Sequence, residues 1–129
     1  MKFRRQEGFR YTFGNPIDCL FKINKIEDLA VNTEYGEGQI IDISPSGIKM
    51  FSLLNLATHP KKMEIEVRFV IENHTYQIPG VIQWQKKEVL KSGYSYGIKL
   101  DPTEEIAKSI IEGLKRHAEN SLKSKNSQK

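Results

Sequence analysis

The chain has 129 residues, 38% of them hydrophobic, and a formal net charge of +4. This length accommodates one domain with one core. No apolar run reaches the roughly 20 residues that span a bilayer, and the charged N-terminus lacks the apolar stretch of a signal peptide, so membrane insertion is not expected. The single cysteine, Cys19, cannot form an internal disulfide, which favours a reducing compartment, and we predict a cytoplasmic protein.

Positive charge is concentrated at the two ends of the chain. Residues 1–10 carry a net charge of +3 and residues 115–129 a net charge of +4, so the remaining 104 residues are net acidic at −3. A barrel that binds single-stranded nucleic acid needs a basic surface along the backbone of its ligand. The acidic body argues against that function, and we predict no nucleic-acid partner.

Residues 1–12 precede the first strand and are rich in arginine, with Arg4, Arg5 and Arg10. We predict that this segment is flexible and that the barrel and its helix occupy residues 13–119. Arginine makes forked hydrogen bonds to phosphate, pairs with the O6/N7 edge of guanine and stacks on base faces. The segment is therefore a candidate clamp for an anionic nucleotide, although a frayed basic terminus has the same composition.

Alternation of apolar and polar residues dominates the centre of the chain and predicts strands. The strand-like segments are 17–23, 39–41, 48–51, 63–71, 76–84 and 94–100. Six such segments with short turns are typical of a small antiparallel barrel or a two-sheet sandwich. Within this pattern Cys19 shares the apolar face of its strand, which indicates a small buried group rather than a nucleophile.

The connections also carry predictions. Asn73 and His74 are expected to form a hairpin turn, and Pro79-Gly80 a bend or bulge, because proline cannot donate to a central ladder. Residues 25–37 and 52–62 are expected to be irregular. In the second of these, three leucines are expected to pack across an open end of the barrel; they are Leu53, Leu54 and Leu56.

One helix is predicted near the C-terminus. Asp101 is the expected N-cap, with Pro102 at the first helical position and Glu104 completing a capping-box pattern. An apolar stripe at helical spacing follows, formed by Ile106, Ala107, Ile110, Ile111, Leu114 and Ala118. The stripe favours packing on the chain's own barrel over a dimer interface or partner groove, and we predict a monomer or weak dimer. Residues 120–129 are polar and basic and are predicted to be disordered.

Catalysis has little support in the sequence. His59, His74 and His117 are scattered and lack metal-type spacing to cysteine or carboxylate residues. No glycine-rich phosphate loop or nucleophile motif is present. We predict that the protein is not an enzyme and uses no metal and no cofactor.

The hexapeptide Asp42-Ile43-Ser44-Pro45-Ser46-Gly47 lies between two strand-like runs and reads as a hairpin loop. It offers a carboxylate and two hydroxyl groups, which can bond the edge of a guanine. Taken alone, an ordinary hairpin turn explains these residues equally well, because Asp, Ser, Pro and Gly all favour turns. Together with the arginines, the loop indicates a small anionic guanine ligand.

These two motifs together resemble the PilZ domain, the bacterial receptor module for cyclic di-GMP. That family has two arginines separated by three residues ahead of the first strand, and an Asp/Asn-x-Ser-x-x-Gly turn. Asp42, Ser44 and Gly47 fit the turn motif, and residues 80–84 and 96–100 resemble the family's later strands. The resemblance covers about residues 3–115. It implies a six-stranded antiparallel β-barrel with a C-terminal α-helix.

The resemblance also implies site roles. Arg10 with Arg4 or Arg5 would bind phosphate and guanine, Asp42 would accept from the guanine N–H edge, Ser44 would add a hydroxyl contact, and Gly47 would admit close backbone approach. The arginine motif departs from the family, because Arg5 and Arg10 are separated by four residues. A residue looped out near Gly8 would restore the clamp.

The function implied by the resemblance is that of a cyclic di-GMP receptor. Ordering of the arginine segment around the ligand would relay binding to a protein partner in trans, in control of motility, exopolysaccharide or biofilm. The alternative is a PilZ-like interaction module that binds no nucleotide.

Overall fold

A computed structural model of the chain describes residues 10–56 and 62–127, with residues 123–127 described by their backbone alone. Within these residues the chain forms seven strands and one helix. They are β1 (Tyr11–Ile26), β2 (Leu29–Ala30), β3 (Gly36–Ser44), β4 (Gly47–Ser52), β5 (Met63–Ile71), β6 (His74–Lys87), β7 (Tyr94–Leu100) and α1 (Glu104–Ser127).

Six of these strands form a closed antiparallel barrel. The order around it is β1-β3-β4-β7-β6-β5, and β5 pairs back to β1. The short strand β2 adds only two pairs at the end of β1. The predicted fold class, a six-stranded barrel with a C-terminal helix, is confirmed.

The core fills the inside of the barrel through the alternation seen in the sequence. Along β5, for example, Met63, Ile65, Val67, Phe69 and Ile71 are all buried. Cys19 is 5% exposed and shares this core. Burial raises the pKa of Cys19 to about 12, helped by the neighbouring charge of Asp18. The prediction that Cys19 is a buried apolar group is confirmed.

Two connections differ from the predictions. The stretch 25–37 contains a hairpin between β1 and β2, in which Glu27 and Asp28 both have positive φ. The turn between β5 and β6 comprises Glu72 and Asn73, also both at positive φ, and His74 already belongs to the strand. Positive φ at both central residues is the pattern of a type I′ two-residue hairpin, whose twist matches that of the strands. The turn therefore lies one residue earlier than predicted.

A bend or bulge is predicted at Pro79-Gly80, but β6 has no bulge at these residues. Pairing of β5 with β6 continues through both residues, and the register shift of β6 against β7 lies between Ile82 and Trp84. Proline is accommodated because the Pro79 carbonyl accepts from the amide of Asp101, just beyond the last pair of β6 with β7. The nitrogen of Pro79 faces the same side as its carbonyl, towards β7. The missing N–H therefore lies beyond the last residue pair of β6 with β7 and costs no ladder hydrogen bond.

The leucines after β4 do not all close the barrel. Leu53 is 72% exposed and Leu54 47% exposed, whereas Leu56 packs against the core. The backbone of Leu54 is fixed by the Tyr96 hydroxyl, which donates to its carbonyl at 2.5 Å. Tyr96 is fully buried and holds this loop from within the barrel. The prediction is therefore wrong for Leu53, whereas the half-exposed Leu54 lies beside Gly36.

Helix α1 begins at Glu104, two residues later than the predicted N-cap implies. Thr103, not Asp101, is the N-cap, because its hydroxyl accepts from the amide of Ile106 at 3.2 Å. Asp101 is instead drawn to the barrel by its bond to Pro79. The buried face of α1 packs on the chain's own barrel and comprises Ala107, Ile110, Gly113 and Leu114.

The helix also continues to Ser127, although a disordered tail was predicted from residue 120. The added residues contain no glycine or proline, the two residue types that oppose helix formation most strongly. None of the helices within the described ranges is long and apolar enough to cross a membrane.

Cys19 should be protected from thiol reagents in the folded protein. At pH 9 we expect alkylation at least about a thousandfold slower than in the denatured chain, because reaction requires opening of the barrel. Mass spectrometry of native and urea-denatured samples measures the ratio. Equal rates in the two states would contradict the burial of this thiol.

Replacement of Gly113 by alanine should stabilise the protein. A Cβ at Gly113 would lie 3.4 Å from Ile71 and from the Tyr76 hydroxyl, which is ordinary contact. Alanine in a helix interior is favoured over glycine by about 1 kcal/mol. Urea unfolding of Gly113→Ala should show an increase of up to that size. A decrease would mean that the helix approaches the barrel too closely for a methyl group.

Candidate ligand-binding site

Two β-bulges place Asp42 and Trp84 on the outside of the barrel. By strict alternation along their strands, both side chains would belong to the core. Asp42 lies two residues after the buried Ile40, and Trp84 lies two residues after the buried Ile82. In regular strands both would point inward. The register shifts between Ile40 and Asp42 and between Ile82 and Trp84, so each bulge reverses the facing of the residue that follows it.

Pairing then aligns these side chains in one row across five strands. Asp42 opposes Thr12 of β1 on one side and Lys49 of β4 on the other. Lys49 opposes Gly97 of β7, which opposes Trp84 of β6. Since neighbouring strands are about 4.8 Å apart, Asp42 and Trp84 are separated by about 14 Å along the sheet.

The indole of Trp84 lies directly over Gly97. A Cβ at Gly97 would be only 2.0 Å from the Trp84 Nε1 atom, so the ring occupies space that any other residue would fill. Trp84 is nevertheless 45% exposed. One end of the row is thus an accessible aromatic surface.

Arg10 and Asp42 form an ion pair at the opposite end of the row. The Arg10 side chain is 53% exposed and the Asp42 carboxylate only 16% exposed. Arg10 immediately precedes β1, so the pair holds the first described residue of the chain against β3. The guanidinium group remains available to solvent on its outer side.

A cavity of about 210 Å³ lies between the ion pair and the tryptophan. It is lined by Arg10, Asp42, Gly47, Ile48, Lys49, Gln83, Trp84, Gly97, Ile98 and Lys99. Three of these residues are basic and one is acidic. The arrangement suits an anionic ligand with an aromatic group and a hydrogen-bond donor for Asp42.

The structure brings together three of the residues predicted from the sequence, namely Arg10, Asp42 and Gly47. Ser44 is 2% exposed and does not line the cavity. Its hydroxyl donates to the Gly47 carbonyl at 3.3 Å and braces the turn from inside. Arg4 and Arg5 lie outside the described residues.

Gly47 is required for close packing rather than for a left-handed turn. Its φ lies outside the left-handed region, and a Cβ here would be 3.0 Å from the carbonyl oxygen of Ile98. The same hairpin is tied to the end of β7, because the Leu100 amide donates to the Ser46 carbonyl at 2.9 Å. These contacts hold the turn against β7, beside the cavity.

Sequence reasoning missed Lys49, Trp84, Gly97 and Lys99 as site residues. Three of them lie in runs that the sequence marked only as later strands, 80–84 and 96–100. Strict alternation with Ile78 and Ile82 would place Trp84 on the core face, because a one-residue bulge leaves no mark in a periodic pattern. An indole next to a glycine on the opposing strand was the available signal.

Replacement of Gly97 by alanine should displace the Trp84 ring. We expect a red shift of its fluorescence, which reports this residue alone because the chain has one tryptophan, and a loss of about 1–3 kcal/mol of stability. Gly14→Ala is the matched control, since a Cβ at Gly14 meets nothing within 4 Å. An unchanged spectrum for Gly97→Ala would show that the ring does not cover Gly97.

A family model described as PilZ domain matches residues 4–116 of the chain. The match spans most of the arginine-rich segment, the whole barrel and about the first half of α1. No curated protein and no solved structure matched the chain.

Proposed function

The chain belongs to the PilZ domain family, and on that basis we propose that it is a receptor for cyclic di-GMP rather than an enzyme. The observation that carries the proposal is the cavity between the Arg10–Asp42 pair and the exposed indole of Trp84. It combines a hydrogen-bond acceptor for guanine, hydrogen-bond donors for phosphate and an aromatic surface in one place.

Each part of the cavity has a chemical counterpart in the ligand. Arg10, Lys49 and Lys99 are cations suited to the two phosphates. Asp42 can accept from the N1–H and N2–H groups of guanine, which adenine lacks. The exposed face of Trp84 can stack on a base.

The size of the cavity supports a proposed role for the N-terminal segment. About 210 Å³ is smaller than the roughly 300–1,000 Å³ typical of ligand pockets, so the groove alone cannot enclose a dinucleotide. In our proposal the residues before Arg10 supply the remaining wall, with Arg4 or Arg5 as the second clamp. Ser44 supports the site indirectly by bracing the turn.

The proposed output is a change in the surface near α1 that a protein partner recognises. Tyr11 and Phe13, which follow Arg10 in β1, contact the His117 ring of α1 with centroids 5.7 and 5.4 Å apart. His117 in turn lies 3.4 Å from the Glu72 carboxylate. Movement of Arg10 onto a ligand would therefore be transmitted to α1 through Tyr11 and Phe13. The proposal places the protein in the cytoplasm, where the Cys19 thiol stays reduced.

A second candidate is an interaction module that binds no nucleotide. The four-residue spacing of Arg5 and Arg10 favours it, because the clamp departs from the family pattern. The Arg10–Asp42 pair also satisfies both groups without a ligand.

Titration with cyclic di-GMP tests the proposal, with Trp84 fluorescence and calorimetry as readouts. We expect saturable binding of cyclic di-GMP and none of cyclic di-AMP or GTP. Arg10→Ala should weaken binding by about 30-fold or more, since truncating one group of a hydrogen-bonded charge pair costs about 2 kcal/mol or more. Arg116→Ala, an exposed arginine on α1, is the control.

Asp42→Asn separates the charge of the carboxylate from its shape. The amide keeps one acceptor but presents donors to the guanine N–H edge, so we expect a loss similar to that of Arg10→Ala. Asp28→Asn, in the exposed β1–β2 turn, is the matched control. Full affinity in both Arg10→Ala and Asp42→Asn would remove the site assignment. A folded wild-type protein that binds no cyclic di-GMP would favour the interaction module.

A further inference from the structure

The connection between β6 and β7 carries two adjacent aliphatic side chains that are exposed to solvent. Val89 is 88% exposed and Leu90 is 97% exposed. Scattered apolar side chains are normal on protein surfaces, but two adjacent ones at a projecting tip form a contact surface. Leu53, 72% exposed, follows β4 at the same end of the barrel.

The tip is held in shape by contacts at its base. The Glu88 amide donates to the Gly93 carbonyl at 3.1 Å, and the Ser95 hydroxyl donates to the Glu88 carboxylate. Gly93 has a φ of +121°, and a Cβ there would lie 2.4 Å from the Phe51 ring. The tip is thus seated on the end of β4, and its aliphatic side chains are presented by a braced hairpin.

Lysines flank the aliphatic pair on both sides. Lys86 and Lys87 end β6, and Lys91 follows Leu90, with its nitrogen 4.0 Å from the centroid of the Phe51 ring. All three lysines are exposed. Against Glu88 alone, they give residues 86–91 a net charge of +2. We name residues 86–91 the lysine-flanked tip.

We propose that the lysine-flanked tip docks the protein on an anionic phospholipid surface. Val89 and Leu90 would enter the boundary between headgroups and acyl chains, and the lysines would lie at the level of the phosphates. The charge of the tip is complementary to such a surface. Docking of this kind is peripheral and needs no membrane-spanning helix.

The composition of the tip favours lipid over a protein partner. Protein interfaces are enriched in aromatic residues and arginine and depleted in lysine, and their energetic centres rarely consist of leucine and valine. The tip has the opposite composition, with lysine, valine and leucine and no aromatic residue or arginine. Its two aliphatic side chains are also almost fully exposed, which suits insertion into a soft apolar layer.

The proposal is independent of nucleotide binding. Lys86, the first residue of the tip, is two residues from Trp84, about 7 Å along β6, so the candidate ligand site and the tip share one hairpin without sharing residues. The test is therefore run without cyclic di-GMP, and failure to bind that nucleotide would leave its outcome unchanged.

Sedimentation of the full chain with vesicles tests the proposal. We expect binding to phosphatidylcholine vesicles that contain about 30% phosphatidylserine and little binding to pure phosphatidylcholine, with a loss on addition of salt. Absence of binding to the anionic vesicles at low salt would overturn the proposal and leave a protein as the occupant of the tip.

Charge variants locate the contact. Lys86→Gln with Lys87→Gln should weaken vesicle binding about tenfold or more, because each lysine near an anionic surface contributes about fivefold. The matched control is Lys108→Gln with Lys115→Gln, two exposed lysines of α1. An equal loss in both double variants would assign binding to the overall charge of the chain and overturn the proposal.

Aliphatic variants separate insertion from charge attraction. Val89→Ser with Leu90→Ser should also weaken binding about tenfold or more, since both side chains leave water on docking. Leu122→Ser, an exposed leucine of α1, should have no effect. Unchanged binding of the tip variant would mean that its aliphatic side chains do not enter the lipid, and the proposal would fail.

Discussion

One strand closes the barrel, and the candidate site depends on that closure. Cys19, Leu20 and Phe21 of β1 pair with β3 on one side and with β5 on the other. In a closed barrel with a packed interior, a strand cannot slip by one residue without moving its apolar side chains to the solvent face. Closure therefore fixes the register of every strand, and the register sets Asp42, Lys49, Gly97 and Trp84 in one row.

The two bulges use that fixed register to expose groups that would otherwise be buried. Without the bulge in β3, the Asp42 carboxylate would face the core, where an unpaired charge is costly. Without the bulge in β6, the Trp84 ring would compete for space with the packed residues around Tyr96. Each bulge gives up regular pairing at one position and places a chemically useful side chain on the outer surface.

The β6–β7 hairpin carries two surfaces with different chemistry. Near its middle, Trp84 and Gly97 form part of a polar, cationic groove. At its tip, Val89 and Leu90 are aliphatic and flanked by lysines. A ligand in the groove and a surface under the tip would therefore be held about 10 Å or more apart on one rigid element.

The sequence by itself determined the six strands, the buried Cys19 and the apolar stripe of the helix, because alternation and helical spacing are local properties of the chain. It also marked Arg10, Asp42 and Gly47, which the fold gathers around one cavity. Only the tertiary structure decided the facing of Asp42 and Trp84, the choice of Thr103 as N-cap, and the exposure of Leu53 and Leu54. In each case the outcome depends on a partner in another element, namely β4 and β7 for the bulges, Pro79 for Asp101, and Tyr96 for the loop after β4.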